Sequence, residues 1–291
     1  MNNYDEALKL VHDSDDVYFY KGYVFSKLNQ MAEAEEAYTQ SINIRPQSDA
    51  YVNRGLVYDK QNKLDKALED YNKAIELDPK YTLAYNNRGI VYYKQDKDDK
   101  ALEDYNKAIE LDPKYTRAYN NRGLVYEKQN KLDKALEDYN KAIELDPKYT
   151  DAYIGRGFVY GKLNRFDKAS EAYSKAVELK TSNPVVYLNL SEALVISGGY
   201  KTALENIEKS SALMIELKDK TINLYLKCIT QKILEMDPSS TELELNQLLK
   251  QRTEFSWSFR EIETWAYSAN IPDYTKNYIK EKTEMLKEYG Q

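Results

Sequence analysis

The chain has 291 residues, 42% of them hydrophobic, which is enough to build a sizeable core. Its 42 basic and 48 acidic residues are interspersed and give a net charge of −6, so the chain lacks the basic surface of a nucleic-acid-binding protein. With one cysteine, one histidine and no apolar run of about 18 residues, it is expected to contain no internal disulfide, no His-rich metal site and no membrane span.

The N-terminal segment, MNNYDEALKLVHDSDD, has no apolar stretch of signal-peptide length, so we expect a cytoplasmic protein. Residues 3–11 have the pattern of the second helix of the repeated hairpins that follow, and we predict that residues 1–14 form an N-terminal half-repeat. His12 is expected to be a partly solvated surface residue, which leaves no histidine for a catalytic triad elsewhere.

A period of 34 residues dominates the chain from residue 15 onward. Prolines at positions 79, 113 and 147 are 34 residues apart, and each follows the motif AIELD. Residues 82–115 differ from residues 116–149 at only five positions. This is a tandem duplication, so the repeated columns can be compared residue by residue.

Columns of small residues give the period a structural meaning. Ala67 and Ala74 lie two turns apart on one predicted helix, and Gly55 lies on the helix before it. Small residues let two helices approach closely, so each repeat is predicted to be a tight helical hairpin. Between the two helices lies a column of residue types that favour the left-handed conformation ending a helix, namely Asn29, Asn62, Asp96, Asn130, Asn164 and Gly198.

These columns are similar to the signature of the tetratricopeptide repeat family, carried here by Tyr51, Gly55, Tyr58, Ala67, Tyr71 and Pro79. The resemblance implies an all-α, right-handed superhelix, or α-solenoid, with a concave face lined by the first helix of each unit. The six predicted units are residues 15–47, 48–81, 82–115, 116–149, 150–183 and the divergent 184–217.

Residues 218–291 break the repeat pattern, and we predict that they form a C-terminal helical cap. The helices are expected near residues 219–235, 240–253, 257–269 and 272–289. Trp257 and Trp265 fall eight residues apart on one helical face. A hydrophobic contact that seals the last repeat is favoured over a docking site for another protein.

An arginine column stands where the family signature favours a large apolar residue, and a charge between packed helices needs a partner. Aspartates on the second helix can hold a planar guanidinium, so structural ion pairs are predicted. Pairing within a unit would leave one arginine opposite Ala172, and pairing between units would leave one after Ala37, so both schemes stay open. The predicted pairs use Arg54, Arg88, Arg122, Arg156, Asp70, Asp104 and Asp138. Replacing Arg122 by Leu is expected to cost less than replacing it by Ala.

An asparagine column precedes the arginines, and the resemblance implies that it faces the concave groove. Some relatives use such a ladder to hold the backbone of an extended peptide, and an amide matches a peptide unit whatever its side chain. The ladder is interrupted at Tyr20 and Gly155. The predicted peptide-binding residues are Asn53, Asn87, Asn121 and Asn189, the neighbouring Asn86 and Asn120, and the groove-edge lysines Lys60, Lys94 and Lys128.

Relatives that grip the C-terminal carboxylate of chaperones need an asparagine where this chain has Leu56, Ile90 and Leu124, so that role is not expected. The leading hypothesis is a non-enzymatic scaffold that needs no cofactor and binds an extended peptide or protein segment in its concave groove. The alternative is an architectural spacer that self-associates weakly through its ends or its C-terminal helices.

Overall fold

The computed structural model describes residues 14–213, 216–250 and 259–289. Within these ranges the chain forms sixteen α-helices and one short 3-10 helix, with no β-strand, which confirms the predicted all-α fold. The predicted half-repeat helix at residues 3–11, together with His12 and Trp257, lies outside the described residues. The chain divides into two units, Met1–Leu145 and Asp146–Gln291.

The first unit contains four helical hairpins, one for each of the first four predicted repeats. The first helices of repeats one to four are α1, α3, α5 and α7, and the second helices are α2, α4, α6 and α8. Their bounds are α1 Asp15–Lys27, α2 Met31–Ile44, α3 Ser48–Lys60, α4 Leu64–Leu77, α5 Thr82–Lys94, α6 Asp98–Leu111, α7 Thr116–Lys128 and α8 Leu132–Leu145.

Each hairpin turns at a residue with positive φ, as the asparagine column predicts. In repeat four, Asn130 has φ of 56°, and the next amide, that of Lys131, donates to the carbonyl of Tyr126 at 2.8 Å. This bond closes the end of α7 in the manner of a Schellman motif. The same sign of φ occurs at Asn29, Asn62, Asp96, Asn164 and Gly198.

A tyrosine packs against a glycine inside each hairpin of the first unit. At Gly89, an added Cβ would lie only 2.7 Å from Cε1 of Tyr105, which is itself buried. The two helices can therefore approach this closely only because the residue has no side chain. The small-residue column and the tyrosine column are two sides of one contact.

Neighbouring repeats also share their cores. Ala67, Tyr71 and Ala74 of repeat two form one buried cluster with Ala84 and Val91 of repeat three. The second helix of one hairpin is thus covered by the first helix of the next, which is how a solenoid repeat buries a face that it cannot bury alone. The second helices end before each proline, since the residue preceding proline is driven to an extended conformation, as at Asp78 with φ −135° and ψ 93°.

The second unit contains repeats five and six and the C-terminal helices. Its helices are α9 Thr150–Lys162, α10 Phe166–Glu178, α11 Pro184–Ile196, α12 Tyr200–Ser210, α13 Leu217–Ile233, α14 Ser239–Leu249, α15 Arg260–Ser268 and α16 Asp273–Tyr289, with the 3-10 helix Ser211–Leu213 after α12. Repeat five lacks the proline, and its second helix ends at Glu178, two residues before Lys180, which has φ of 63°.

The C-terminal helices pack onto repeat six through one large apolar cluster. Ala203 and Ile207 of α12 share this cluster with Tyr225, Ile229 and Ile262 from the C-terminal helices. Cys228 is fully buried in the same cluster. Trp265 packs against the cluster from α15, and its ring lies 6.4 Å from that of Tyr200.

The observed C-terminal helices differ from the predicted ones mainly at their ends. The second ends at Leu249, where residues up to 253 were expected, although residues 251–258 lie outside the described ranges. The fourth begins at Asp273, immediately after Pro272. The differences fall at the ends of the helices because apolar periodicity predicts where a helix exists better than it predicts where the helix ends.

Candidate functional site

Two faces of the first helices in repeats two to four carry different chemistry. In α3, Asn53, Leu56 and Lys60 are spaced three and seven residues apart and therefore share one side of the helix. Arg54 follows Asn53 and points about 100° away from it. We call the side that carries Asn53, Leu56 and Lys60, with their equivalents in α5 and α7, the first-helix face.

The arginine side of these helices forms bidentate ion pairs with the second helix of the same repeat. Arg122 donates from Nε to Oδ2 of Asp138 at 2.8 Å and from Nη2 to Oδ1 at 2.7 Å. The Asp138 side chain is 4% exposed and that of Arg122 is 21% exposed. Two parallel charge-assisted hydrogen bonds fix the guanidinium in the plane of the carboxylate. The equivalent pairs are Arg54 with Asp70 and Arg88 with Asp104.

The arginine also reaches the preceding repeat. Nη1 of Arg122 donates to Oδ1 of Asn106 at 2.7 Å, and Nη1 of Arg88 donates to Oδ1 of Asn72 at the same distance. In repeat two, the acceptor is Oγ1 of Thr39, at 3.0 Å from Arg54. Each of these arginines therefore pairs with the aspartate of its own repeat, which decides between the two schemes that the sequence left open. A neutral oxygen of the preceding repeat accepts the bond that links the two repeats.

Burial sets the electrostatics of these pairs. It raises the pKa of the Asp70, Asp104 and Asp138 carboxyls, while the hydrogen bonds from the arginines act in the opposite direction. Tyrosine rings flank each guanidinium, with centroids 5.6 Å and 5.9 Å from Cζ of Arg122 for Tyr119 and Tyr126. These rings suit a delocalised cation better than an ammonium group. Repeat five has Ala172 where the aspartate would stand beside Arg156.

Four asparagines of repeats three and four form a continuous run of amides. Asn120 donates to Asn121 at 3.5 Å, Asn121 donates to Oδ1 of Asn86 at 2.9 Å, and Asn86 donates to Asn87 at 3.3 Å. The middle bond joins α7 to α5, so the run links two repeats. Asn86, Asn87 and Asn120 are buried, although the sequence placed them in an open groove.

The two ends of this run lack partners. Nδ2 of Asn87 and Oδ1 of Asn120 are buried and make no hydrogen bond. An unsatisfied buried polar group costs about 1–3 kcal/mol. The residue of repeat two equivalent to Asn86 is Val52, and the residue of repeat five equivalent to Asn121 is Gly155. Neither side chain can form a hydrogen bond. Repeats two and five therefore have no amide at the position that would continue the run.

The remaining predicted asparagines behave differently from the run. Asn53 is half-buried and donates to the backbone carbonyl of Asp49 in its own helix at 2.7 Å. Asn189, in the second unit, donates to the hydroxyl of Tyr173 at 3.3 Å. A peptide-binding role for the asparagine column remains a prediction, and Asn53 is the member of the first unit that lies outside the amide run.

Two of the three lysines at the edge of the first-helix face form ion pairs within the chain. Lys94 contacts Asp59 at 2.7 Å, and Lys128 contacts Asp96 at 2.7 Å and Asp98 at 2.8 Å. Hydrogen bonds with these two carboxylates raise the pKa of Lys128, and the same lysine lowers the pKa of Asp96. Lys60 is exposed. The charge of this column is therefore largely balanced by the protein itself.

An aliphatic row lies between the asparagines and the lysines. Leu56 and Ile90 are partly exposed, and Leu124 is 37% exposed. In the sequence, these residues indicated only that a chaperone-tail clamp is absent. Their position three residues after each asparagine was the signal that they share its face.

The second unit has its own cavity on the first-helix side of repeats five and six. Its volume is about 430 Å³, and its lining includes Phe158, Phe166, Val185, Asn189 and Glu261. Phe158 and Val185 expose more than two fifths of their surface. Among the described residues, no group of three or more His, Cys, Asp or Glu side chains is arranged to hold a metal ion, and no helix is long and apolar enough to cross a membrane.

Comparisons with known proteins agree with this architecture. Models described as tetratricopeptide repeat match residues 15–48, 116–149 and 150–183, and a model described as TPR repeat matches residues 55–96 and 91–130. Together they span more than half of the chain. No curated protein matches the sequence significantly.

Several solved structures are similar. A tetratricopeptide repeat protein from Parabacteroides merdae is 19% identical, with a TM-score of 0.58, over 94% of this chain and 100% of that one. PilF of Pseudomonas aeruginosa is 20% identical, with a TM-score of 0.64, over 71% and 94%. YrrB, described as a TPR protein with an unusual peptide-binding site, is 24% identical, with a TM-score of 0.51, over 67% and 99%. At these identities the likeness shows the fold alone.

Proposed function

The chain belongs to the tetratricopeptide repeat family, and from this premise we propose that it is a non-enzymatic scaffold that holds an extended protein segment on the first-helix face of repeats two to four. One observation supports this proposal above the others. Three consecutive repeats carry an aliphatic residue followed by a lysine on one face, preceded by an asparagine that is half-buried in repeats two and four and buried in repeat three, while the arginine side is used for packing. A cytoplasmic location stays a prediction.

The chemistry of this face suits a polypeptide backbone with apolar side chains. Amides can donate to a carbonyl and accept from an N–H group whatever the ligand sequence. Leu56, Ile90 and Leu124 offer apolar surface that is not fully buried in the chain itself. A ligand that covers them removes this surface from water, which is favourable by about 25 cal/mol per Å².

Photo-crosslinking from defined positions tests the proposal. Leu124→p-benzoylphenylalanine places a photoreactive group on the first-helix face, and Leu77→p-benzoylphenylalanine places one on a second helix. The two leucines are matched controls, because they are 37% and 49% exposed. After irradiation in lysate of the source cells, we expect a discrete cross-linked peptide from position 124 that mass spectrometry maps to one extended segment. Equal yields and the same products from both positions would contradict the proposal.

Self-association is a second candidate function, favoured by one observation. Tyr20 and Val24 of α1 are 66% and 52% exposed, and Leu28, which follows the helix, is 63% exposed, although the valine equivalents of Val24 in repeats two to four are fully buried. An exposed apolar surface of this kind could pack against another copy of the chain. Light scattering after size-exclusion chromatography distinguishes the two candidates, because a strict monomer at high concentration excludes the self-association role.

A further inference from the structure

The cavity in the second unit is lined mostly by apolar side chains. Its volume is about 430 Å³, and the rings of Phe158, Phe166 and Tyr173 line it together with Val185. Phe158 and Val185 are 41% and 44% exposed, so this apolar surface is open to solvent in the described part of the chain. A cavity of about 300–1,000 Å³ is large enough for a small ligand.

A glycine leaves room in this cavity. Gly161 lies in α9, one residue before the end of the helix, and a Cβ built on it would meet no atom within 4 Å. Packing therefore does not require this glycine, in contrast to Gly89. The equivalent residues of repeats two to four all carry side chains, namely Asp59, Tyr93 and Glu127. Because glycine is a poor helix former, its presence in α9 is explained if the space beside it receives a ligand.

Repeat five also carries aromatic rings where repeat four has leucines. Phe158 is equivalent to Leu124, and Phe166 is equivalent to Leu132. Neither phenylalanine is buried, so packing in the core does not account for the exchange. The face of an aromatic ring attracts cations. Lys162 already lies over the Phe158 ring, with Nζ 4.6 Å from the centroid.

The polar side chains around the cavity favour a positively charged ligand. Glu192 and Glu261 contribute two carboxylates and Lys162 contributes one ammonium group, so two negative charges and one positive charge give the lining a formal charge of −1. Asn189 donates to the hydroxyl of Tyr173 at 3.3 Å, which uses one of its donors within the protein. The lining thus combines aromatic rings with an excess of negative charge.

These features together match the side chain of arginine. Its planar guanidinium stacks on aromatic rings, pairs with carboxylates and carries five donors and no acceptor. Its methylene stem suits the apolar part of the wall. A lysine ammonium group is more strongly hydrated and does not stack. We propose that the cavity in the second unit binds an arginine side chain carried by a partner protein segment. This site uses none of the residues of the first-helix face and goes beyond the proposed function.

Titrations of the isotope-labelled, full-length chain followed by NMR test the inference. The probes are N-acetyl-arginine amide, its neutral isostere N-acetyl-citrulline amide, and N-acetyl-lysine amide. We expect the arginine probe to shift the amide signal of Gly161 with a Kd of about 1 mM, in keeping with its small size. The other two probes should bind at least about tenfold more weakly, because citrulline has no charge and lysine has no planar cation.

Variants locate the binding site. Gly161→Tyr gives this position the side chain that repeat three carries at Tyr93. Because an added Cβ meets no atom within 4 Å, the variant should keep its melting temperature, and by filling the cavity it should weaken the arginine probe at least about tenfold. Glu192→Gln should weaken it several-fold. Glu178→Gln, which changes an exposed carboxylate of α10 outside the cavity, should leave it unchanged.

Several outcomes would overturn the inference. They are equal affinity for the arginine probe and either other probe, undiminished affinity in folded Gly161→Tyr, and no binding up to about 10 mM. Tighter binding of free arginine than of the capped probe would assign the cavity to the amino acid instead of a protein segment, and would likewise overturn it. The cross-linking experiment from position 124 decides the proposed function separately, because it does not depend on this cavity.

Discussion

Removing the guanidinium of Arg122 should expose the cost of a buried, unpaired carboxylate. Arg122→Ala deletes both hydrogen bonds to Asp138, whose side chain is 4% exposed. Breaking a buried pair by removing one partner costs about 3–5 kcal/mol. Because the Arg122 side chain is itself 21% exposed, water can partly replace it, and we expect a loss of about 2–4 kcal/mol in unfolding free energy.

The bidentate pair changes the stability that is expected for Arg122→Leu relative to Arg122→Ala. Arg122→Leu was expected to be the milder change, since leucine restores the apolar choice of the family. The structure shows that this variant also strands Asp138, so it should cost about as much as alanine. The combination Arg122→Leu with Asp138→Ala removes both charges, and it should recover about 2 kcal/mol relative to Arg122→Leu alone.

Urea unfolding followed by circular dichroism measures these differences, with the Arg88 and Asp104 pair as a replicate in repeat three. The stability deficit of Arg122→Ala should shrink as pH falls from 7 toward 4. Burial raises the folded-state pKa of Asp138 above its unfolded value, so protons bind preferentially to the folded chain, and stability is lost as pH rises through that window. Additive effects of the single and double variants, or a cost below about 0.5 kcal/mol for Arg122→Ala, would refute the account of the pair.

Further predictions concern the turns and cores. Gly89→Ala should destabilise by about 1–3 kcal/mol, because its Cβ would meet Tyr105 at 2.7 Å; Gly161→Ala, with open space around it, should instead stabilise by up to about 1 kcal/mol in the same urea assay. Asn130→Ala should cost about 1 kcal/mol at its φ of 56°, whereas Asn130→Gly should be nearly neutral by thermal melting. Burial raises the pKa of Cys228 to about 12, so alkylation by iodoacetamide at pH 8 should be about a thousandfold slower in the native chain than in the unfolded one. A fast native reaction would place the thiol outside the core.

The hairpins could be predicted from the sequence because each depends on local chemistry that recurs. The column of Asn130 specifies a left-handed turn, and the glycine column leaves room for a tyrosine, so both features follow from single residue types. Repetition confirms each assignment several times within one chain. The C-terminal helices have no such repetition, and their ends were accordingly less well predicted.

The partners of polar side chains could not be predicted in the same way. Whether Arg122 meets an aspartate of its own repeat or of the previous one depends on the tilt between helices, which a linear spacing does not contain. The asparagine column shows the same limit. Asn53 stays half-buried while Asn87 is buried, because the residues that neighbouring helices bring to each position differ even where the column itself does not.

We propose that the first-helix face of repeats two to four serves mainly to bind the partner and not to pack against the rest of the chain. Calorimetric titration of the segment cross-linked from position 124 tests it most directly, using wild type, the variant Asn53→Ala with Leu124→Ala, and Leu77→Ala. Asn53 bonds only within its own helix, so the double variant should keep its melting temperature within a few degrees. We predict that it binds at least about tenfold more weakly, because an aliphatic contact and an amide contact are lost, and that Leu77→Ala binds like wild type. Unchanged affinity in the folded double variant would contradict the account.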